Sequence, residues 1–414
     1  MKRTPLLLLV IFALLFYVAP AHAALKSVSV TPLAQLAVIP TGDDVAGMLV
    51  AGKFIYIYGT SGSNAFVRSI DGQGVVNWTL SLDTGADEIS TAVTRDTAGN
   101  IWVFGSASKT SGVSPTPSQT PSASASTMTS LLNPDGVVLD PEVALRNDLN
   151  TLVAWKVSPT GVLLSTFTTD FGQPVLARAA VESSGTVSVV GLTTTTMGSV
   201  GFFVQSDAIG NFAKPLFIGK ADTDINSLAK RSDGSFVLVG ASSEVLGGKS
   251  LKGVRDGVIV RIVKNKIVSV VRSSNIKATR SWQNTSNSLF FGGSAAASGK
   301  NEAVATKFAV NANGVVPTWT VRFPAQGPAI TTDVSATSHA MTFSSISAIP
   351  GVVGWKPSKG QTVTLIYDAK WAVKGAYSSL LLSNPIDAGF SNDLGLVVLE
   401  SGAFGVSIFH ALTR

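Results

Sequence analysis

The sequence predicts an all-β chain, a single β-propeller of seven four-stranded blades closed by an N-terminal strand. Three observations carry this. A short strand ending in glycine returns along the chain: FIYIYG (Phe54 to Gly59), IWVFG (Ile101 to Gly105), VSVVG (Val187 to Gly191), FVLVG (Phe236 to Gly240), LFFGG (Leu289 to Gly293) and VVG (Val352 to Gly354), with LVVLE (Leu396 to Glu400) as a degenerate seventh copy. A second strand type recurs in step, from Asn64 to Ile70 through Leu152 to Ser158, Gly201 to Asp207, Gly257 to Val263, Ala303 to Val310 and Thr362 to Asp368 to Gly405 to Leu412. The period is about 50 residues, which accommodates four short strands and their turns.

The first element is not part of the repeat. Lys2 and Arg3 precede an apolar run from Leu6 to Ala19, and Ala21-His22-Ala23 forms a small-x-small site. This reads as an export signal cut after Ala23, so residues 1–23 leave and 24–414 form the propeller. The run is short for a bilayer span. The mature chain is therefore expected to be soluble and outside the cytoplasm: secreted, held at the cell envelope, or periplasmic where an outer membrane exists. There is no cysteine, so thiol chemistry and disulfides are excluded, and stability must come from burial.

Residues 27–38 carry strand character without a place in the repeat, while the last unit lacks its fourth strand. The N-terminal strand is expected to complete that unit, which removes an exposed edge. Within the second unit, Ile89 to Arg95 and Ile101 to Gly105 flank the turn Asp96-Thr97-Ala98-Gly99-Asn100, as in a hairpin. Residues 109–150 interrupt that unit. Their first part, 113–127, is a flexible Pro/Ser/Thr-rich stretch. In the sixth unit Pro350 stands before the marker strand, and His339 falls in or near the first strand.

The motif strand, D-x-x-G-N, I-W-V-x-G, variable loop, F-V-x-K/R is seen in Asp96 to Gly105 and in Ala65 to Arg68. It resembles the bacterial secreted β-propeller repeats of the SBBP type. That resemblance implies a secreted or surface propeller and no particular reaction.

Two constellations are candidates for function. Asp44, Glu88, Asp224, Asp333 and Asp387 align just before the first strand of their units, with Pro174 and Asn275 completing the series. First strands line the channel of a propeller. Carboxylates at its mouth would hold Ca²⁺ or a cationic ligand; alternatively, each acid bonds the backbone N–H groups of its own turn. The second candidate is a basic blade. Lys249, Lys252, Arg255, Arg261, Lys264 and Lys266 lead nine cations between residues 249 and 280, opposed only by Asp256. Such a patch suits an anionic polysaccharide, a cell-envelope polymer or a membrane surface, or it is a solvated blade edge; another surface protein is the further partner expected. With no aromatic residue in the segment, nucleic acid is not expected. Arg68, Lys156, Arg261, Lys307 and His410 fall at matching third-strand positions, where long side chains snorkel outward.

These readings favour a secreted binding propeller that uses the face with the long loops. Two alternatives remain at this stage: an extracellular glycan hydrolase or lyase built on two of the channel-mouth acids, and a purely structural surface protein.

Overall fold

The computed structural model describes residues 27–108, 146, 148–311, 314–357, 359–403 and 405–411. Residues 1–23, expected to be an export signal, and the 109–150 insertion apart from its last few residues, lie outside these. Among the described residues there is strand and turn but no helix, and none that could cross a membrane as one.

The strands form seven sheets in chain order, which we number one (43–82), two (88–170), three (175–218), four (223–273), five (279–324), six (330–378) and seven (383–411). Each first strand touches the first strands of the neighbouring sheets. That of sheet seven, Ser383–Ser391, touches Asp43–Ala51 of sheet one, so the ring closes. The chain is thus a β-propeller. Its cores lie in the wedges between adjacent sheets. Tyr56, Val67, Val103 and Trp155 fill the wedge between one and two, and Trp282, Val239, Ile259 and Phe308 the one between four and five. This distribution explains the patterning. Inner strands such as Ile101–Ala107 are buried along their whole length, whereas the outer strand Leu163–Asp170 alternates between exposed and half-buried residues.

Six sheets are four-stranded blades. The expectation of seven four-stranded blades fails at sheet six, which has six strands: Val28–Pro32 adds parallel to its fourth strand Val373–Ser378 and also pairs with Val352–Val353. The N-terminal segment then turns, and Ala34–Val38 pairs antiparallel with Gly405–Ala411 of sheet seven. One short segment therefore covers the edge of sheet six and closes sheet seven.

The marker glycines have a single physical cause. In sheets one to five the first strand carries a bulge where it meets the second. The bulge turns a first-strand carbonyl toward the glycine. A Cβ on Gly59 would lie 2.0 Å from the Asp44 oxygen, one on Gly105 1.7 Å from Ile89, and one on Gly240 1.9 Å from Asp224. In sheet five the residue so placed is Gly293, facing Ser281.

Sheet six corrects the reading of VVG. Its first strand, Ile330–Asp333, pairs with His339–Ser345 without a bulge, so no marker glycine is needed there. Val352–Val353 belongs instead to the long loop before the third strand, Gln361–Tyr367, and His339 opens the second strand rather than the first. In sheet seven, Glu400 lies opposite Pro385 at the bulge.

Candidate functional site

Antiparallel order gives the propeller two faces. Loops from second to third strands and links between sheets emerge on one, the loop face. Turns between first and second and between third and fourth strands emerge on the other, the turn face.

The five predicted acids do not share one place. Asp44, Glu88 and Asp224 stand at the loop-face ends of their first strands. Only Asp44 and Asp224 are equivalent, since each supplies the carbonyl packed on its marker glycine. Asp333 ends its strand at the turn face, and Asp387 is in mid-strand. A fixed sequence offset misaligned them because bulge position and strand length differ between sheets.

Their partners differ too. Glu88 is 1% exposed and accepts the N–H groups of Thr84 at 2.7 Å and Ala86 at 3.3 Å, with the Thr84 hydroxyl as a third donor. Burial outweighs these bonds and raises its carboxyl above the ordinary range. Asp224 accepts from Arg255 at 2.6 Å and from Ser199 at 2.9 Å. Asp387 accepts the N–H groups of Met48 at 3.0 Å and Ala388 at 2.8 Å, and burial pushes its carboxyl up to about 6. No three His, Cys, Asp or Glu side chains converge among the described residues.

The basic blade is divided in the same way. Lys249 and Lys252 lie in the loop before the third strand Asp256–Val263, on the loop face, while Lys264 and Lys266 lie at the turn after it, on the turn face. Arg255 bridges Asp222 and Asp224. Arg261 pairs with Asp233 at 3.1 Å. Arg272 is buried against Asp256 at 2.7 Å, and it also donates to the carbonyls of Ser242, Glu244 and Lys249. The matching third-strand cations do more than snorkel. Lys156 and Arg261 reach acids in the first turns of their own sheets, Asp96 and Asp233, and Lys307 donates to the Ser288 carbonyl in the corresponding turn.

One cation of that segment stands apart. Arg280, on the first strand of sheet five, is 9% exposed and has no carboxylate partner among the described residues. Its guanidinium lies 4.3 Å from the Trp282 ring centre, and one Nη reaches Thr306 Oγ1 at 3.5 Å. Its Nε has no acceptor. Burial, reinforced by Arg322, lowers its pKa to about 10, so it remains charged at neutral pH. An unpaired buried ion costs several kcal/mol, and a cation–π contact returns only about 2 kcal/mol.

Arg280 lines a cavity of about 190 Å³ on the loop face between sheets four and five. Ala278, Ala295, Ala296 and Ala297 contribute apolar wall, and Lys300, Glu302 and Arg322 charge. Arg322 and Glu302 are 3.7 Å apart. A second, wider cavity of about 370 Å³ also opens on the loop face, between sheets six and seven, beside Lys359, Leu382 and Asn384. Exposed Leu380, Leu381 and Leu382 flank it.

A third cluster, on the turn face, had no sequence motif. His339 Nδ1 bonds Asp333 at 2.9 Å, and Ser288 Oγ donates to the same carboxylate at 2.6 Å. This is not the order of a relay of nucleophile, base and acid: the hydroxyl and the carboxylate both approach Nδ1, and among the described residues no hydroxyl bonds the other nitrogen. Burial works to raise the Asp333 carboxyl, but the bonds from His339, Ser288 and Ser286 outweigh it and hold it low.

No family model matches the chain, nor does any curated protein. Solved structures do resemble it. Raptor from Chaetomium thermophilum is 8% identical with a TM-score of 0.52, the match covering 97% of this chain and 30% of that one. YCF48 bound to D1 peptide is 11% identical with a TM-score of 0.49, covering 94% and 99%. A protein of unknown function from Bacteroides caccae is 12% identical with a TM-score of 0.38, covering 82% and 83%. The likeness to Raptor bears on fold alone, and the other two carry no argument. The class is that of a β-propeller, with clefts on the loop face among its described residues.

Proposed function

We propose that the chain is an exported binding protein that takes a protein or peptide partner on its loop face, and that the six-stranded sheet counts as a seventh blade of its ring. The observation that carries the reading is the coincidence of both cavities, Lys249, Lys252 and the three exposed leucines on that one face. Concave, partly apolar sites with a few convergent polar groups are the usual form of a binding site. The closed cycle of seven first strands supports the blade count. Export rests on residues 1–23 and on the SBBP-type motif.

A glycan hydrolase would need two free carboxylates facing each other across a cleft. Glu88 is held in its own turn, Asp224 is taken by Arg255, and Asp333 opens on the opposite face.

The test is a thermal-shift screen with end-blocked acidic, basic and apolar peptides and with acidic glycans. It compares the wild type with Ala296→Trp, which fills a loop-face cleft, and Ala98→Trp, on the turn face. Stabilisation by a peptide that Ala296→Trp weakens and Ala98→Trp spares is expected, since only native-state ligands raise stability. Loss on Ala98→Trp alone, stabilisation by glycans alone, or no stabilisation by any member of the panel contradicts the reading.

A further inference from the structure

We infer that the cavity between sheets four and five is a carboxylate-binding site, with Arg280 as the group that receives the anion. The inference rests on the loop-face reading above and gives that face its ligand chemistry.

Four observations converge. Arg280 is a buried cation with no ion-paired acid, Glu302 acting on it only through space, whereas Arg255, Arg261 and Arg272 of the same segment each have a direct partner. Its Nε, one of the donors that grip a planar oxyanion, lacks an acceptor. Arg231 and Arg261 also have an Nε without an acceptor, but neither lines this cavity. Arg280 lines an open cavity rather than packed core, although its Nε is itself buried, so an anion reaches that atom only when the guanidinium turns toward the cavity.

The lining then selects the anion. Arg280, Lys300 and Arg322 outnumber Glu302, so the cavity favours negative charge; the glutamate at the same wall works against a doubly charged group. Alanine walls suit a short aliphatic stem. A volume of about 190 Å³ holds a carboxylate with two or three methylenes and not a sugar chain. Carboxylate and guanidinium match in plane and in donor spacing. Such a group arrives either as the side chain of a glutamate in a partner or as a free short-chain acid.

Calorimetric titration distinguishes these sources. The probes are sodium propionate, sodium butyrate and N-acetyl-Gly-Glu-Gly-amide, with sodium chloride at matched ionic strength as reference. The proteins are wild type, Arg280→Met, and Lys249→Gln as a loop-face control. Arg280→Met keeps the length and the apolar stem while removing the buried charge, so it is expected to fold and to melt at or above the wild-type temperature. The wild type should bind at least one probe saturably. Arg280→Met should weaken that binding by about tenfold or more, and Lys249→Gln should leave it within about twofold. Tighter binding of the peptide identifies a protein side chain as the source; tighter binding of the free acids identifies a small metabolite. Equal binding to wild type and Arg280→Met overturns the site, as does chloride matching the carboxylates. If peptides in the wider screen bind the loop face of Arg280→Met as well as that of the wild type, this site fails while the binding role of the face survives.

Discussion

Trp371 stacks on Trp319 with ring centres 4.3 Å apart and planes 11° apart, and it does so from a backbone position that glycine holds elsewhere. In sheets one, two and three, the turn between third and fourth strands places Gly74, Gly161 and Gly210 at positive φ. Each turn opens on Asp71, Ser158 or Asp207, whose side chain accepts the N–H groups two and four residues on. Asp368 does the same for Lys370 and Ala372, and Trp371 occupies the glycine position at φ 64°. Gly161 packs on Trp78 and Gly210 on Phe167, each an aromatic of the preceding sheet. Trp371 keeps that contact and enlarges it, at the cost of a left-handed backbone.

That trade is measurable. Trp371→Ala loses the stack and keeps the strain, whereas Trp371→Gly loses the stack and relieves it. Trp371→Gly should therefore be the more stable of the two by about 1 kcal/mol, with both below wild type. Denaturant unfolding of the three proteins checks the order, and equal stabilities for the two variants would remove the strain argument.

The marker glycines give a sharper contrast. At Gly105 any side chain meets a backbone carbonyl that cannot move aside, but at Gly62, also at positive φ, there is open space. Gly105→Ala should cost about 3 kcal/mol or more through overpacking, and Gly62→Ala about 1 kcal/mol through backbone strain alone. Comparable losses in urea melts would refute the bulge as the reason for the repeat.

Asp387 sets a pH dependence. Its folded pKa of about 6 stands above its ordinary value of 3.8, so the native state binds a proton between those values that the unfolded chain does not. The stability this group contributes is complete below about pH 4 and lost as pH rises through about 6. Subtracting the Asp387→Asn stability curve from that of wild type should leave a decline of at most about 3 kcal/mol between pH 4 and 7. A flat difference, or one that rises, contradicts burial as the dominant influence on this carboxyl.

Closure of sheet seven depends on Ala34–Val38. A chain lacking residues 24–40 should expose the edge of Gly405–Ala411 and self-associate, as unpaired strands do. A synthetic peptide spanning 27–40 should return it to a monomer on size-exclusion chromatography. A truncated chain that stays monomeric and as stable as wild type would show that closure is dispensable.

Much of this fold is legible in the sequence because one geometric need recurs. Where the first strand bulges in sheets one to four, the second offers glycine, and Gly59, Gly105, Gly191 and Gly240 announce it; sheet seven bulges opposite Glu400 instead. Sheet six is obscure for the complementary reason: its first strand pairs without a bulge, so the signal vanishes and Val352–Val353 imitates it. The site was less legible. A run of nine cations is visible in sequence, but the acids that neutralise three of them, Asp222, Asp233 and Asp256, are brought to them only by folding. What separates Arg280 from its neighbours is the lack of such an acid, which no local pattern records. Trp282 beneath it stands two residues on along the same strand, whereas Ala295 beside it comes from strand pairing. Asp333 and His339 are six residues apart, yet Ser286 and Ser288 reach them from the neighbouring sheet.

The central claim is that the loop face binds a partner and that the Arg280 cleft is part of the contact. Hydrogen exchange of the wild type, with and without saturating N-acetyl-Gly-Glu-Gly-amide, tests it most directly. The account expects slowed exchange in 274–280 and 295–302, unchanged exchange in the turns 96–100 and 158–162, and no slowing at all in Arg280→Met. Protection confined to those turns, or protection that persists undiminished in Arg280→Met, would contradict it.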